Sequence, residues 1–228
     1  MADTIEINYY SDMLCIWAYV GARRVDELAA KFGDQVQIKT RFCSVFSDVP
    51  AKIAANWASR GGYEGYGAHV RTVAERFDHI SIHPDTWDRA RPVSSAPAHV
   101  FLKAVEIVAA QDADTPFDQQ KVTQAAAALR EGFFSYGRDI SDPKVLSDCA
   151  TALGLDVDHL WQADVQMRAV AALTQDLDLA RKENVEGSPT LLMNSGRQRL
   201  FGNVGYRLME ANVEELLRGA PKSAMSWC

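Results

Sequence analysis

Long apolar runs are missing from this 228-residue sequence. A membrane-spanning helix needs about 20 consecutive apolar residues, and because no such run occurs we expect no membrane partner. The first residues contain neither the basic segment nor the hydrophobic stretch of a secretory signal. We therefore expect a protein of the reducing cytoplasm.

An excess of positive charge is also missing. The chain has 24 lysine and arginine residues against 30 aspartate and glutamate residues, which gives a formal net charge of −6. Proteins that bind nucleic acids usually present a basic surface to the phosphate backbone. The sequence therefore predicts no nucleic-acid partner.

Closely spaced cysteines are absent as well. The four cysteines are far apart and form no Cys-x-x-Cys pair: Cys15, Cys43, Cys149 and Cys228. Disulfide frameworks and zinc sites usually show paired spacing, so free thiols and no metal centre are expected. His79 and His83 are four residues apart, but the isoleucines between them and Pro84 favour extended chain, which places the two rings much farther apart than a helix would.

Strand and helix signals alternate at the start of the chain. Ile5, Ile7 and Tyr9 alternate as a half-buried strand. Apolar residues at helical spacing follow, and a second alternating run ends at Phe42. The first 43 residues or so are thus predicted to contain a β-α-β unit.

Strand signals almost vanish in the middle of the chain and return near its end. There the sequence predicts a strand, a turn at 194–196, a second strand and a helix. These patterns predict an α/β fold with the order β-α-β … β-β-α. Its core comprises residues 1–46 and 184–228, and residues 47–183 form a large helical insertion domain.

Cys15 stands between the first predicted strand and the first predicted helix. At a helix N-terminus, unpaired backbone N–H groups and the helix dipole favour negative charge. Such placement lowers the pKa of a thiol from about 8.5 to about 3.5–7.5, so Cys15 is predicted to be a reactive, catalytic thiolate. The alternative is a buried cysteine that packs as a small apolar residue.

The stretch C-I-W-A-Y-V-G at residues 15–21 resembles the C-P-W-C-Y-V-G segment of the FrnE-type branch of the DsbA-like thioredoxin-fold superfamily. It is also similar to the S-P-Y-S segment of kappa-class glutathione transferases and 2-hydroxychromene-2-carboxylate isomerases, where serine stands at the position of Cys15. The resemblance implies a thioredoxin-like α/β fold with an all-helical insertion. Ala18 replaces the second cysteine of the segment, and Ile16 replaces its proline.

A second segment carries the same resemblance. Residues 187–190, G-S-P-T, are similar to the segment that holds the cis-proline of thioredoxin-fold proteins. The resemblance implies that Pro189 follows a cis bond and that the backbone of Ser188 binds the substrate beside the reactive cysteine. Trp17 is expected to form part of the apolar wall next to the sulfur.

Five further residues are candidates for the same site. Cys43 ends the second predicted strand, which lies near the active site in the resembling families, so it is either a remote resolving thiol or, as we favour, a buried strand cysteine. His99 is either a pocket residue or, as we favour, a packing histidine. Ser11 and Asp12, just before the reactive cysteine, are candidate pocket residues. Asn203 lies where glutathione-using relatives often have an aspartate, and it is a candidate hydrogen-bonding residue.

The missing second cysteine decides which function we expect. With Ala18 in its place, a mixed disulfide on Cys15 must be released by an external thiol such as glutathione. We expect a cytoplasmic DsbA/FrnE-like thiol–disulfide oxidoreductase that acts as a monothiol on a thiol or disulfide substrate, with glutathione as candidate co-substrate and no tightly bound cofactor. Two alternatives stay open: a glutathione-dependent isomerase or transferase, and a non-catalytic binding or chaperone-like module. The glutathione-using relatives suggest a homodimer.

Overall fold

The structure, a computed structural model, describes residues 4–109 and 115–218, so Cys228 and the outer ends of the predicted core lie outside the described residues. Four strands form a single sheet. They are β1 (Ile5–Ser11), β2 (Val36–Phe42), β3 (Thr190–Met193) and β4 (Gln198–Phe201). The strand order across the sheet is β2-β1-β3-β4.

β1 is an inner strand and organises the sheet. It pairs in parallel with β2, in a register that sets Ser11 opposite Phe42, and antiparallel with β3, which pairs antiparallel with β4. All of its residues except Glu6 are buried, because both of its edges are paired and both of its faces are covered. Since β1 and β2 end side by side, the segments that follow them, with Asp12 and Cys43, lie next to each other.

The helices surround this sheet. Those in the described residues are α1 (Ile16–Phe32), α2 (Val49–Trp57), α3 (Gly62–Ala74), α4 (Ala96–Ala109), α5 (Lys121–Phe134), α6 (Pro143–Ala152), α7 (Val157–Leu160), α8 (Ala163–Lys182) and α9 (Tyr206–Arg218). Asp48 and Asp142 cap α2 and α6 through their side chains, each with a proline in the first turn. None of the helices in the described part has the length and apolar character needed to cross a membrane.

The predicted element order is confirmed. β1, α1 and β2 form the β-α-β unit, β3, β4 and α9 form the β-β-α unit, and every named element of the described residues between β2 and β3 is helical. The division into two domains at residues 46 and 183 stays a prediction.

The two larger of three hydrophobic clusters in the described residues contain parts of α1. One lies between the sheet and helices α1 and α9, with Ile7, Val25, Leu28 and Val213 buried in it. The other fills the helical part and extends to Cys15 at the start of α1. Full burial of one large aliphatic side chain contributes about 1.5–3 kcal/mol, so both clusters fix the position of α1 firmly.

A buried ion cluster attaches the helices to β2. Asp176 on α8 is fully buried and accepts from Arg41 and Lys103, each at 2.8 Å, and from the Phe42 N–H at 3.2 Å. Lys103, on α4, is itself only 2% exposed. Removal of one member of such a buried set typically costs about 3–5 kcal/mol. The cluster therefore fixes the end of β2, directly before Cys43.

Candidate active site around Cys15

Cys15 occupies the N-cap position of α1. A turn after β1 brings it there, closed by a hydrogen bond from the Cys15 N–H to the Asp12 carbonyl at 3.1 Å. The Cys15 carbonyl then accepts the N–H groups of Ala18 and Tyr19, which begins the helix. Cys15 is only 6% exposed, so its thiol is almost completely shielded from solvent.

Burial and hydrogen bonding act on this thiol in opposite directions. Burial is the larger effect and raises the pKa of Cys15 above its usual value, while contacts from the Ser188 side chain and from the N–H groups of Ala18 and Trp17 lower it. The nearby charge of Asp12 raises this pKa further. The predicted low-pKa thiolate is therefore wrong for the free protein, because the desolvation of the sulfur outweighs the N-terminal N–H groups of α1.

The Ser188–Pro189 loop covers the sulfur. Its peptide bond is cis, the Cys15 thiol donates to the Ser188 carbonyl at 3.2 Å, and the Ser188 hydroxyl accepts the Asp12 N–H at 2.9 Å. The Pro189 carbonyl accepts the Gly202 N–H at 2.9 Å, which anchors the loop to the end of β4. The structure thus brings Cys15, Ser188 and Pro189 together, and their roles toward a substrate stay predictions.

Asp12 is the centre of a buried hydrogen-bond network. Its Oδ1 accepts the Leu14 N–H at 2.9 Å, and its Oδ2 accepts the N–H groups of Val45 and Phe46 and the Ser95 hydroxyl at 2.9–3.0 Å. Asp12 is fully buried, so it does not line an open pocket. Instead, its carboxylate holds the turn before Cys15 against the segment that follows β2.

His99 and Ser11 are buried in the same region. His99 is 2% exposed, stacks on Phe42 with ring centroids 4.7 Å apart, and accepts the Met13 N–H at Nε2. Burial lowers the pKa of His99, which keeps the ring neutral, so this histidine packs and holds the Met13 amide. Ser11 is fully buried and accepts from Arg130 Nη2 at 2.8 Å.

Arg130 is the residue of this region that the sequence analysis missed. It lies on α5 and is 5% exposed. The available signal was a lone arginine beside the run of apolar residues 125–129. An arginine on the buried face of a helix usually has a specific partner, and here that partner is the end of β1.

Cys43 lies beside the same loop. It is 4% exposed, and its thiol donates weakly to the Gly187 carbonyl at 3.8 Å, one residue before the carbonyl that Cys15 contacts. Burial, followed by the charges of Asp12 and Cys15, raises the pKa of Cys43 well above its usual range. Cys15, Cys43 and Cys149 are all free thiols, and Cys149 donates instead to a carbonyl of α5.

Trp17 and Asn203 have side-chain contacts with residues other than Cys15, Ser188 and Pro189. The Trp17 ring meets Phe77 edge-to-face, with centroids 6.4 Å apart, and lies 5.7 Å from the Arg76 guanidinium. The Asn203 Oδ1 accepts from Arg24 at 2.5 Å. Asn203 is therefore already bound to a side chain of α1. A ligand that contacts its Oδ1 has to share that oxygen with the Arg24 guanidinium.

The described residues contain no group of three or more His, Cys, Asp or Glu side chains that could hold a metal ion. His79 and His83 have separate partners. His79 contacts the Val20 carbonyl at 3.1 Å, and the Nδ1 of His83 accepts the Asp85 N–H at 3.1 Å.

Among curated proteins, the chain is similar to the ClpXP adapter protein SpxH of Halalkalibacterium halodurans. The two are 25% identical over 229 residues, which cover 96% of this chain and 69% of that protein. This relative is named as an adapter rather than as an oxidoreductase.

Three solved structures show the same fold. A protein of Nitrosomonas europaea, provisionally named a protein disulfide isomerase, has a TM-score of 0.75 at 14% identity over 96% of this chain and 100% of its own. The cytosolic disulfide reductase DsbM of Pseudomonas aeruginosa with GSH has a TM-score of 0.66 at 17% identity, over 92% of this chain and 100% of its own. A 2-hydroxychromene-2-carboxylate isomerase has a TM-score of 0.59 at 14% identity, over 93% of this chain and 96% of its own.

These structural likenesses establish the fold alone, since each pair is less than 25% identical. The family model for the DSBA-like thioredoxin domain goes further, because it matches residues 6–214 and so includes the β-α-β unit, the helical stretch and the Ser188–Pro189 loop. The chain belongs to the DSBA-like thioredoxin domain family.

Proposed function

We propose that this protein is a DsbA-like thiol–disulfide oxidoreductase that acts as a monothiol through Cys15. The observation that carries the proposal is the position of the sulfur, which lies at the N-terminus of α1 and within 3.2 Å of the Ser188 carbonyl, with Ala18 in place of a second cysteine. The similarity to a disulfide reductase crystallised with GSH supports a thiol co-substrate such as glutathione. A cytoplasmic location and a homodimer stay predictions.

The chemistry takes two exchange steps. The Cys15 thiol loses its proton to solvent, and the thiolate attacks one sulfur of a substrate disulfide, which forms a mixed disulfide and releases the other sulfur as a thiolate. An external thiolate, for example that of glutathione, then attacks the substrate sulfur of the mixed disulfide, releases Cys15 as a thiolate and remains joined to the substrate in a new disulfide. A second external thiolate breaks that disulfide, releases the substrate as a thiolate and forms the disulfide of the external thiol. Two electrons thus pass from two external thiols to the substrate, and Cys15 is unchanged at the end.

The groups around the Cys15 sulfur support part of this proposal and oppose another part. The N–H groups of Trp17 and Ala18 and the side chain of Ser188 act on the sulfur in the direction that favours the thiolate, so a thiolate formed there would be held by three groups. Burial opposes its formation. We therefore expect exchange to be slow at neutral pH and to accelerate as the pH rises, because only the thiolate is the nucleophile.

A binding or adapter module is the second candidate function. It is favoured by the raised pKa of the buried Cys15, by the missing second cysteine and by the similarity to a protein named as an adapter. In that case the thiol would only pack beneath the Ser188–Pro189 loop. The glutathione-dependent isomerase is weaker, because Asn203 stands in place of the acidic residue and is bound to Arg24.

The test is the reaction of the protein with oxidised glutathione, read by intact mass at several pH values. In a Cys228→Ser background, which removes the cysteine outside the described residues, we expect one glutathione on the protein and none once Cys15→Ser is added. The matched control Cys149→Ser should leave the adduct unchanged, since Cys149 is a half-buried thiol of the helical part. Reduced glutathione should then remove the adduct. Absence of any adduct up to the alkaline limit of stability would leave the adapter function.

The same experiment decides the role of Cys43. Because its thiol is buried and bound to the Gly187 carbonyl, we expect the Cys15 adduct to persist until an external thiol is added, both in the unmodified protein and in Cys43→Ser. Spontaneous loss of glutathione that disappears in Cys43→Ser would instead make Cys43 the resolving thiol. Glutathione that binds without covalent attachment would favour the isomerase.

A further inference from the structure

An open depression of about 450 Å³ lies on the surface between the middle of α1 and the segment that follows α3. It is lined by Arg23, Arg24, Arg76, Phe77, Asp78 and His79. Small molecules are usually bound in concave sites that bury most of their surface, and this depression is too open for that. It therefore suits an extended segment of a larger partner.

Two arginine side chains of the depression are linked by aromatic rings. The Arg76 guanidinium lies 5.7 Å from the centre of the Trp17 ring, and the Arg24 guanidinium lies 6.0 Å from the centre of the Phe77 ring. The two rings meet edge-to-face, with centroids 6.4 Å apart. Both rings are only half-buried, so part of each is accessible to a partner. We refer to Arg76, Trp17, Phe77 and Arg24 as the arginine–aromatic row.

The two arginines of the row have no acidic partner. In the described part of the chain, no Asp or Glu oxygen lies within ion-pair distance of Arg24 or Arg76. The Nη1 of Arg24 donates to the Asn203 side chain, which is a neutral acceptor. By contrast, the neighbouring Arg23 forms an ion pair with Glu27 at 3.5 Å. The row thus presents two positive charges that carboxylates from outside can pair.

These charges differ from the charge of the whole chain. Its formal net charge is −6, so an acidic partner is on average repelled and is attracted where unpaired cations collect. Asp78 also lines the depression, and its charge offsets part of that attraction. Two unpaired arginines against one carboxylate leave the row positive.

The row starts two residues after Cys15 in sequence and leads away from it. Trp17 and Arg24 share one face of α1, with Gly21 between them. A methyl group added at Gly21 would lie 4.0 Å from Cγ of Pro189, so this face adjoins the loop that covers the sulfur. The helix rises about 14 Å from Cys15 to Arg24, a distance that an extended peptide spans with about four residues.

We propose that the arginine–aromatic row binds an acidic segment of a peptide or protein substrate, about four residues from the cysteine that exchanges with Cys15. Carboxylates of that segment pair with Arg24 and Arg76, and its chain lies across the rings of Trp17 and Phe77. This inference rests on the proposed thiol chemistry and specifies its substrate class, which is a disulfide flanked by acidic residues.

The exchange is tested with peptides whose single cysteine carries a 2-thiopyridyl group. Three glutamates stand four to six residues from that cysteine, on its N- or its C-terminal side, and matched peptides carry glutamine or lysine instead. The Cys15 thiolate attacks the peptide sulfur, the mixed disulfide forms, and pyridine-2-thione leaves; its absorbance gives the rate. A Cys149→Ser, Cys228→Ser background removes the two other cysteines that are not buried in the described structure.

At low salt, we expect one of the two glutamate peptides to react about fivefold or more faster than its glutamine counterpart, and the lysine peptide to be the slowest. The difference should shrink to within about twofold in about 0.5 M NaCl, because salt screens exposed charges. Equal rates for the three peptides at low salt would overturn the proposal.

Variants assign the preference to the row. The double variant Arg24→Gln, Arg76→Gln should react with the glutamate and glutamine peptides at equal rates, whereas Arg24→Lys, Arg76→Lys keeps both charges and should keep most of the difference. Arg168→Gln is the matched control, since Arg168 is an exposed arginine on α8 without an ion pair in the described residues. Oxidised glutathione should react equally with all of these proteins. A slower reaction in the glutamine double variant alone would assign the arginines to glutathione and overturn the peptide proposal.

Binding without chemistry separates this inference from the proposed function. A fluorescent glutamate peptide with serine in place of its cysteine should bind Cys15→Ser saturably in anisotropy titrations, about fivefold or more tightly than the glutamine peptide. Addition of Arg24→Gln and Arg76→Gln should abolish that preference. If Cys15 exchanges with no disulfide but the preference remains, the oxidoreductase function is wrong and the acidic docking surface is confirmed. If exchange is normal and the preference is absent, only the docking surface is wrong.

Discussion

Two polar clusters meet at the end of β1, and they differ in how completely their groups are hydrogen-bonded. In the Asp12 network both carboxylate oxygens are occupied, by three N–H groups and one hydroxyl. Beside it, Tyr9, Thr123 and Arg130 each leave a buried polar atom without a partner in the described structure. A saturated network rigidifies a fold, whereas each unpaired buried polar group costs about 1–3 kcal/mol of stability.

The difference also bears on Cys15. The Cys15 thiol adjoins the Asp12 network and is itself hydrogen-bonded. It donates to the Ser188 carbonyl and lies beside the turn that Asp12 holds. Rigid placement of the sulfur therefore comes with burial, and burial raises its pKa. In this protein the same packing that positions the candidate nucleophile also reduces the fraction of thiolate at neutral pH.

The largest expected effect comes from breaking the saturated network. Asp12→Ala leaves the amides of Leu14, Val45 and Phe46 and the Ser95 hydroxyl unpaired, each at about 1–3 kcal/mol. We expect the free energy of unfolding in urea to fall by about 4 kcal/mol or more. The exposed Asp34→Ala should change it by no more than about 0.5 kcal/mol. A loss below about 1 kcal/mol for Asp12→Ala would show that the network is not saturated as described.

The pH dependence of Cys15 alkylation comes next. Since burial raises its pKa, the thiolate fraction grows about tenfold per pH unit below that pKa, so the rate should rise about 100-fold from pH 7 to pH 9 without a plateau. Iodoacetamide labelling with peptide mass spectrometry measures it, with free glutathione as the reference thiol. A plateau below pH 8 would restore the low-pKa thiolate predicted from the sequence.

Ser188→Ala should moderately reduce both the stability of the protein and the alkylation rate of Cys15, because Ser188 contacts both the Asp12 network and the sulfur. It removes the acceptor of the Asp12 N–H and one group that lowers the pKa of Cys15. We expect a loss of about 1 kcal/mol in stability and alkylation several-fold slower at fixed pH. Ser95→Ala, which also loses a bond to Asp12 but does not act on the sulfur, should lose similar stability at an unchanged alkylation rate. Equal slowing in both variants would mean that the Ser188 hydroxyl has no specific effect on the Cys15 sulfur.

The smallest effect is expected at the unsaturated cluster. Tyr9→Phe removes a buried hydroxyl that has no partner in the described structure, so the free energy of unfolding should change by no more than about 0.5 kcal/mol or increase. Thermal unfolding of the two proteins checks this. A loss of about 2 kcal/mol would show that the Tyr9 hydroxyl has a hydrogen-bond partner after all.

The sequence predicted features that depend on neighbouring residues along the chain. Alternating and helical patterns identified the β-α-β unit and the returning strands, and the segments around Cys15 and Ser188–Pro189 indicated a thioredoxin-like site in the order in which the chain presents them. Such signals are local, so one sequence carries them in full.

The sequence could not predict how deeply that site is buried. The helix N-terminus alone predicts a low pKa for Cys15, whereas its burial depends on the large cluster formed with helices distant in sequence. Tyr9 on β1 and Arg130 on α5 are likewise residues that only tertiary packing brings together. Local pattern thus predicted the order of strands and helices and the candidate nucleophile, and the resemblance to a known family indicated its loop. Tertiary structure decided the state of the thiol and the position of the unpaired donors, because desolvation and hydrogen-bond pairing are properties of packing.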